Sequence, residues 1–442
     1  MKPSPPFDVP DEESRSANRR LTPVTDRNRS PLDWLNFFLA DVRGGLGPYV
    51  GIFLLTEQHW NQAEIGVVAT VASVVGLALQ TPIGALIDAS HRKRAIIIAG
   101  LLMLSLSAMA IAFAPTFPVV LTAQAVMGVA GELFPPAVAA ITLGILGAHG
   151  LAPRLGRNAA FDHAGNVSIA LAAGWVGWAF SQTAVFLLVP LFSLLAAWAV
   201  SAIPSGAIDN ARARGLDGDN NSDLRQPSGW GVLVTCRPLL IFALCIALFH
   251  FANAAMLPLV GQKLALANKG EETALMSACV IAAQLVRLPM ALLVGRKAEG
   301  WGRKPLCLAA FGVLPLRGLL YTFSDDRWWL IGVQLLDGVG AGILSALVPL
   351  MLADLMRGTG RYNVSQGVIA TTQGIGASLS NMVAGMMVVS AGYNAAFLTL
   401  AGVALAALLI LILAMPETRG FGVTPPDASL ASSLRLSPAR WK

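Results

Sequence analysis

Charge is scarce in this chain. Only 13% of its 442 residues are Asp, Glu, Lys or Arg and 55% are apolar, whereas a soluble domain carries about 25% charged residues. That balance excludes a protein held in water by one or two cores. Cysteine is rare too: Cys236, Cys245, Cys279 and Cys307 lie in or beside apolar segments without metal-ligand spacing, which argues for packing residues and against disulfides or a metal site. HExxH, GxSxG and P-loop signatures are all missing, so no enzyme and no cofactor is expected. The formal charge of +6 comes from scattered Lys and Arg with no single basic face, which argues against nucleic acid. The first 31 residues are polar and Pro-rich with no apolar core. They read as a disordered cytoplasmic tail, neither a cleaved signal peptide nor a folded domain.

What the chain does have is a series of apolar runs of about 20 residues, enough to cross a ~30 Å hydrocarbon core as helix. They fall at 32–55, 64–87, 95–114, 119–148, 158–180 and 185–203, and again at 238–260, 273–295, 305–323, 328–353, 364–389 and 395–415. The expected fold is therefore an all-α membrane protein of twelve transmembrane helices. It divides into two six-helix bundles, 32–203 and 238–415, with a polar linker at 204–237 and a tail at 416–442. Of the 31 Lys and Arg, only Lys263, Lys269 and Arg327 fall in the connections on one side, and Arg43, Arg287 and Arg317 fall inside runs. All the others lie in the tails, the linker and the alternate loops. Because such residues stay on the cytoplasmic side, both termini and the linker are expected there, in a cytoplasmic (inner) membrane.

The halves resemble each other. Gln124-Ala-Val-Met-Gly128 recurs as Gln334-Leu-Leu-Asp-Gly338, and Pro48 recurs as Pro258 at the same offset, which suggests duplication of a six-span unit. Between runs two and three stands Gly84-Ala-Leu-Ile-Asp88-Ala-Ser-His-Arg92-Lys93-Arg94. At the matching place in the second half stands Gly295-Arg-Lys-Ala-Glu299-Gly-Trp-Gly302-Arg303-Lys304. Both resemble the cytoplasmic loop signature of the major facilitator superfamily, and Pro416-Glu417-Thr418-Arg419-Gly420 is similar to an ending common there. The resemblance covers about residues 32–420 and implies a secondary transporter working by alternating access. In physical terms, Gly84, Asp88, Arg92, Arg94, Gly295, Glu299, Arg303 and Lys304 are expected to form a gate, with charge-assisted bonds across the halves. The alternative role of the basic residues is to fix topology. Two departures from the drug:proton antiporters of the superfamily stand out: Gln124 occupies the place of their span-four Arg, and their Gly-Pro signature in span five is absent. The segment Gly156–Asn166 has no assigned role.

Ionisable residues in the runs are costly, ~2.5–3.5 kcal/mol at the bilayer centre on insertion scales, so each is expected to meet a partner or a water-filled cavity. Arg317 and Asp337 fall near mid-depth on consecutive helices, where a structural salt bridge is expected. Glu132 lies 14 residues past Pro118, ~21 Å along a helix. A carboxylate there is stable with an Arg partner or with a proton, which makes Glu132, then Asp41 and Asp337, the candidates for proton coupling. In the family it resembles, spans one, four, seven and ten line the cavity. The substrate-cavity candidates are therefore Arg43, Gln124, His250, Asn253 and Gln334, with Arg287 as a further cation. A lone His such as His250 also commonly just bonds locally. The leading expectation is proton-linked export of a small organic or amphiphilic solute by a monomer in the lipid bilayer. The alternatives are uptake of a small organic anion on Arg43 or Arg287, and a sensor or scaffold that moves nothing.

Overall fold

The computed structural model describes residues 29–40, 46–210, 213, 234–357, 359 and 361–419, with side chains described throughout except at 29, 148–153 and 363. Asp41 and Arg43, and most of the two expected tails and the linker, lie outside the described residues. Among the described residues every regular element is helical: α1 (Arg29–Leu39), α2 (Gly47–Thr56), α3 (Gln62–Ala89), α4 (Lys93–Phe113), α5 (Phe117–Ala179), α6 (Gln182–Val185) and α7 (Leu188–Ser201) form the first half. After a 3₁₀ turn at Ser205–Ala207 come α8 (Arg237–Ala254), α9 (Met256–Ala267), α10 (Glu272–Trp301), α11 (Arg303–Leu320), α12 (Arg327–Leu355) and α13 (Tyr362–Ala414).

The expected run 32–55 falls on two helices, α1 and α2, with 41–45 outside the described residues, and the other runs lie largely on helix. Among the described residues, eight helices, against the twelve spans expected, are long and apolar enough to cross a membrane by length and composition. Two very long helices, α5 and α13, each carry two of the expected runs and bend at a glycine of positive φ, Gly147 (67°) and Gly392 (85°). Only glycine takes that conformation without strain, so the reversal of direction sits where the side chain is missing. Local signals set the helix starts. Asn61 accepts from the Glu64 N–H at 2.9 Å while the Glu64 carboxylate accepts from the Asn61 N–H at 3.0 Å, a reciprocal cap for α3. Asp326 caps α12 through the Trp329 N–H at 2.9 Å.

Two buried apolar clusters form, centred on the two halves. Large apolar side chains such as Leu106, Phe113, Leu194, Leu285 and Leu413 point outward and exposed, as a lipid-facing surface requires. Lipid tails are as apolar as these side chains, so helix association depends on close packing. The repeated motif supplies it. A Cβ on Gly128 would lie 2.1 Å from the Ala72 carbonyl oxygen of α3, and one on its counterpart Gly338 would lie 2.2 Å from the Ala283 oxygen of α10. The same residue at the same repeat position thus presses α5 onto α3 and α12 onto α10.

The halves meet along α3 with α13 and α5 with α10, and α2 also touches α9 and α10. Hydrogen bonds crossing between them include Tyr49 with Ser277 (2.9 Å), Gln62 to Tyr393 (3.0 Å), Thr70 to the Ser378 carbonyl (2.8 Å) and His163 with Gln284 (3.0 Å). The first two involve the starts of α3 and α10, so the loop signatures at the other ends of those helices share the opposite side. That side is the loop side here, and its opposite the far side. The closest approaches between the halves are on the far side: a Cβ on Gly66 would meet the Asn381 oxygen at 2.4 Å, one on Gly385 the Gln62 oxygen at 2.3 Å, and one on Gly177 the Thr273 hydroxyl at 2.1 Å. Gly84, Gly156, Gly295 and Gly367, on the loop-side stretches of the same four helices, have nothing within 4 Å of that position.

Candidate functional site

Between the halves lies a cavity of about 370 Å³. Its walls come from α2, the first half of α3, the first bundle's α5, the Ala255–Gln262 stretch and α13. It reaches from Gln62 and Gln262 near the far side to Gly76 and Glu132 at mid-depth. Most of the lining is small or apolar, including the repeat pair Pro48 and Pro258 and the glycines of α2, α3 and α5. Its polar residues are Gln62, Ser73, Gln124, Glu132, Gln262 and Asn381.

Glu132 is the one charged residue among the described lining, and no hydrogen bond or ion pair holds it among the described residues. Gly76 allows this placement, since a Cβ there would meet the Gly128 oxygen at 2.9 Å and the Glu132 Cγ at 3.4 Å. Gln262 is 4% exposed, and its amide oxygen is buried with no hydrogen-bond partner among the described residues.

The other expected site residues divide into three groups. Glu132 and Gln124 line the cavity, whereas His250, Asn253, Arg287 and Gln334 are not among its described lining residues. Asn253, Gln334 and Asp337 are instead gathered within the second half by Arg317. Its guanidinium donates to Asp337 Oδ1 (2.6 Å), Asn253 Oδ1 (2.6 Å), Tyr321 Oη (3.1 Å) and Gln334 Oε1 (3.3 Å). The physical reason is that a fully buried Arg needs partners for its charge and its donors, and these four side chains accept four of its five N–H groups, engaging every guanidinium nitrogen. Arg287 has a buried Nε, and His250 a buried Nδ1, with no hydrogen-bond partner among the described residues.

The gate residues bond within their own halves in this arrangement. The Arg94 guanidinium donates to the Ser201 (3.4 Å) and Ile203 carbonyls at the end of α7, and the Lys304 ammonium to the Ile412 carbonyl (3.0 Å) near the end of α13. Glu299 pairs with Arg303 at 2.6 Å, and Arg303 with buried Asp354 at 2.9 Å. Gly302 has φ 90°, and the turn it makes exposes the first N–H groups of α11 to Glu417, whose carboxylate accepts from Arg303 N (2.8 Å) and Lys304 N (3.0 Å). Burial pushes the Glu417 carboxyl up. Hydrogen bonds from the Arg419, Arg303, Lys304 and Thr418 N–H groups outweigh that and hold it below the usual carboxylate range. Asp88 and Arg92 are exposed.

Sequence reasoning missed several residues. Gln62, Ser73, Gln262 and Asn381 line the cavity from helices that a search for ionisable groups passes over. The available signal was a polar amide or hydroxyl inside, or at the edge of, an apolar run. Asp33 was missed as well: it pairs with Arg154 and Arg157, both at 2.7 Å, tying the start of α1 to the Gly156–Asn166 region. His163 of the same segment reaches across to Gln284 of the other half.

Comparison with known proteins bears on this geometry. The family model described as Major Facilitator Superfamily matches residues 33–363 and 275–441. Two curated relatives from Mycobacterium tuberculosis, one from strain CDC 1551 / Oshkosh and one from strain H37Rv, are each described as an uncharacterized MFS-type transporter. Each is 49% identical over 395 residues, covering 89% of this chain and 94% of the relative. Among solved structures, a point mutant of the nucleoside transporter NupG superposes with a TM-score of 0.70 at 14% identity, covering 88% of this chain and 100% of that one. NupG without that mutation gives 0.65 at 13%, covering 87% and 98%. At such identities the likeness extends to the fold alone.

Proposed function

The chain belongs to the major facilitator superfamily and is a multi-pass membrane transporter, and we propose that it exports a small organic or amphiphilic solute in exchange for protons, by alternating access to the cavity between its halves. The observation that carries this reading is Glu132, a carboxylate with no partner among the described residues, on the wall of an interfacial cavity at mid-depth. A group so placed changes its charge at little structural cost. Asp337 is the weaker candidate, because Arg317 already engages it. The Lys and Arg distribution supports a cytoplasmic loop side, with both termini and the linker on that face of a cytoplasmic membrane. On this reading the close glycine contacts are an external seal, and the gate signatures come together across the halves in the opposite state.

The test is gradient-driven flux in proteoliposomes. Glu132→Gln removes the titration and nearly preserves shape. It is expected to retain solute binding and energy-independent exchange, and to lose accumulation driven by a pH gradient. Unchanged accumulation in that variant removes Glu132 from the coupling. A second reading, uptake of a small organic anion, draws on Arg287 with its unpartnered Nε. Reversing the sign of the imposed gradient separates the two directions.

A further inference from the structure

We infer that a second, basic pocket at the loop-side end of the first half holds the headgroup of an anionic phospholipid, with the phosphate against Arg92 and Arg94 and the acyl chains along the seam of α4 and α7. This site is separate from the cavity between the halves and depends neither on the solute nor on the coupling ion.

Three observations converge. The first is the pocket itself, about 310 Å³ between the start of α4, the end of α7 and the 205–210 stretch. Four consecutive residues of its wall, His91, Arg92, Lys93 and Arg94, bring three cations and an imidazole. Lys93 is buried, and its ammonium donates to the Ser90 carbonyl at 2.8 Å. Arg94 is half-buried and donates through Nη1 to the Ser201 and Ile203 carbonyls at the end of α7. Arg92 is exposed, and its guanidinium makes no hydrogen bond or ion pair among the described residues. The acids nearest in the chain, Asp88 and Asp209, are not among the described lining residues. The second observation is the direction of α4. Its N-cap residue is Arg92, which supplies no side-chain cap, so the positive end of the helix adds to the field of the cations. The third is what lies beyond the pocket. There α4 and α7 pack together and run away from the loop side, each presenting large exposed apolar side chains: Leu102 and Leu106 on α4, Leu194 and Trp198 on α7. Trp198 stands one turn before Ser201, the headgroup level at which Trp is enriched. A soluble anion needs only the first two features, whereas an apolar seam leading out of a basic pocket serves an amphiphile. Basic pockets between spans on the cytoplasmic side are the chemistry that anionic headgroups seek.

The experiment is native mass spectrometry of the detergent-purified full chain, which resolves each bound molecule. The chain is titrated separately with palmitoyl-oleoyl phosphatidylglycerol, with phosphatidylcholine of the same chains, and with inorganic phosphate. One Lys or Arg beside an anionic headgroup is worth about fivefold in affinity. With two such groups, the first phosphatidylglycerol is expected to bind roughly tenfold or more tighter than phosphatidylcholine. Arg92→Ala removes an exposed side chain that holds no other described part of the fold, and it is expected to weaken phosphatidylglycerol about fivefold while leaving phosphatidylcholine unchanged. Arg94→Ala is the poorer test, because it also frees the end of α7. The control is Lys297→Ala, which takes an exposed cation from the loop side outside this pocket and is expected to change neither lipid. Inorganic phosphate is expected not to be retained at the lipid concentrations used. Equal losses in Arg92→Ala and Lys297→Ala reduce the preference to net charge and overturn the site, as does an Arg92→Ala chain that binds phosphatidylglycerol as the native one does. Phosphate retained with the same dependence on Arg92, while phosphatidylglycerol shows no preference over phosphatidylcholine, overturns the lipid in favour of a soluble anion.

Discussion

Arg317 and Asp337 illustrate how much a single residue's depth reveals. Counting 1.5 Å per residue from the ends of two consecutive apolar runs places both near mid-bilayer, and the structure joins them at 2.6 Å. Asn253 and Gln334 were equally visible as polar residues in apolar runs, but their positions in sequence do not say which way they face, and they turn inward to Arg317. Glu132 and Gln124 turn to the cavity instead. Depth is a property of one helix, whereas facing depends on the neighbours that surround it. If the Arg317 cluster is structural, Arg317→Met strands the half-buried Asp337 carboxylate and is expected to destabilise by about 2–4 kcal/mol. Adding Asp337→Asn recovers most of the loss, because the uncompensated charge goes with it. Thermal unfolding of the two single variants and the double variant in detergent checks this; additive losses contradict a paired role.

At the scale of elements, the apolar runs and their pairing into two halves were legible, since each run is long enough to be its own signal. The recurrence of Gln124–Gly128 at Gln334–Gly338 was legible too, though its purpose was not. Only the packed helices show that both glycines meet a backbone oxygen of the helix two runs earlier. The sequence places Gly84 and Gly295 in the two gate signatures instead. In this arrangement open space surrounds them, so their role belongs to another state or to the loop conformation. The difference is measurable. Gly128→Ala sets a Cβ against a backbone atom that cannot rotate away and is expected to lower stability by about 1–3 kcal/mol, whereas Gly84→Ala is expected to leave the melting temperature within error. Equal melting temperatures for both variants contradict the packing described.

For the whole molecule, the relation between the halves was the least legible feature. A repeat predicts two similar bundles but does not say on which side they touch, because duplicated sequences pack alike in more than one access state. Here the glycine contacts at Gly66, Gly177 and Gly385 bring the halves together on the far side, and the gate residues bond within their own halves. The central claim is that these two sides exchange roles when Glu132 changes charge. It is tested most directly by spin-label distances in the full chain, with one pair on the far side (Glu57→Cys with Asn394→Cys) and one on the loop side (Ala89→Cys with Lys297→Cys), all four native residues being exposed. Each pair is measured across pH, and again with Glu132→Gln. The account predicts two distance populations at each pair that shift in opposite directions, the far side lengthening as the loop side shortens, with Glu132→Gln fixing the balance at every pH. A single distance at each pair, unmoved by pH and by Glu132→Gln, contradicts it.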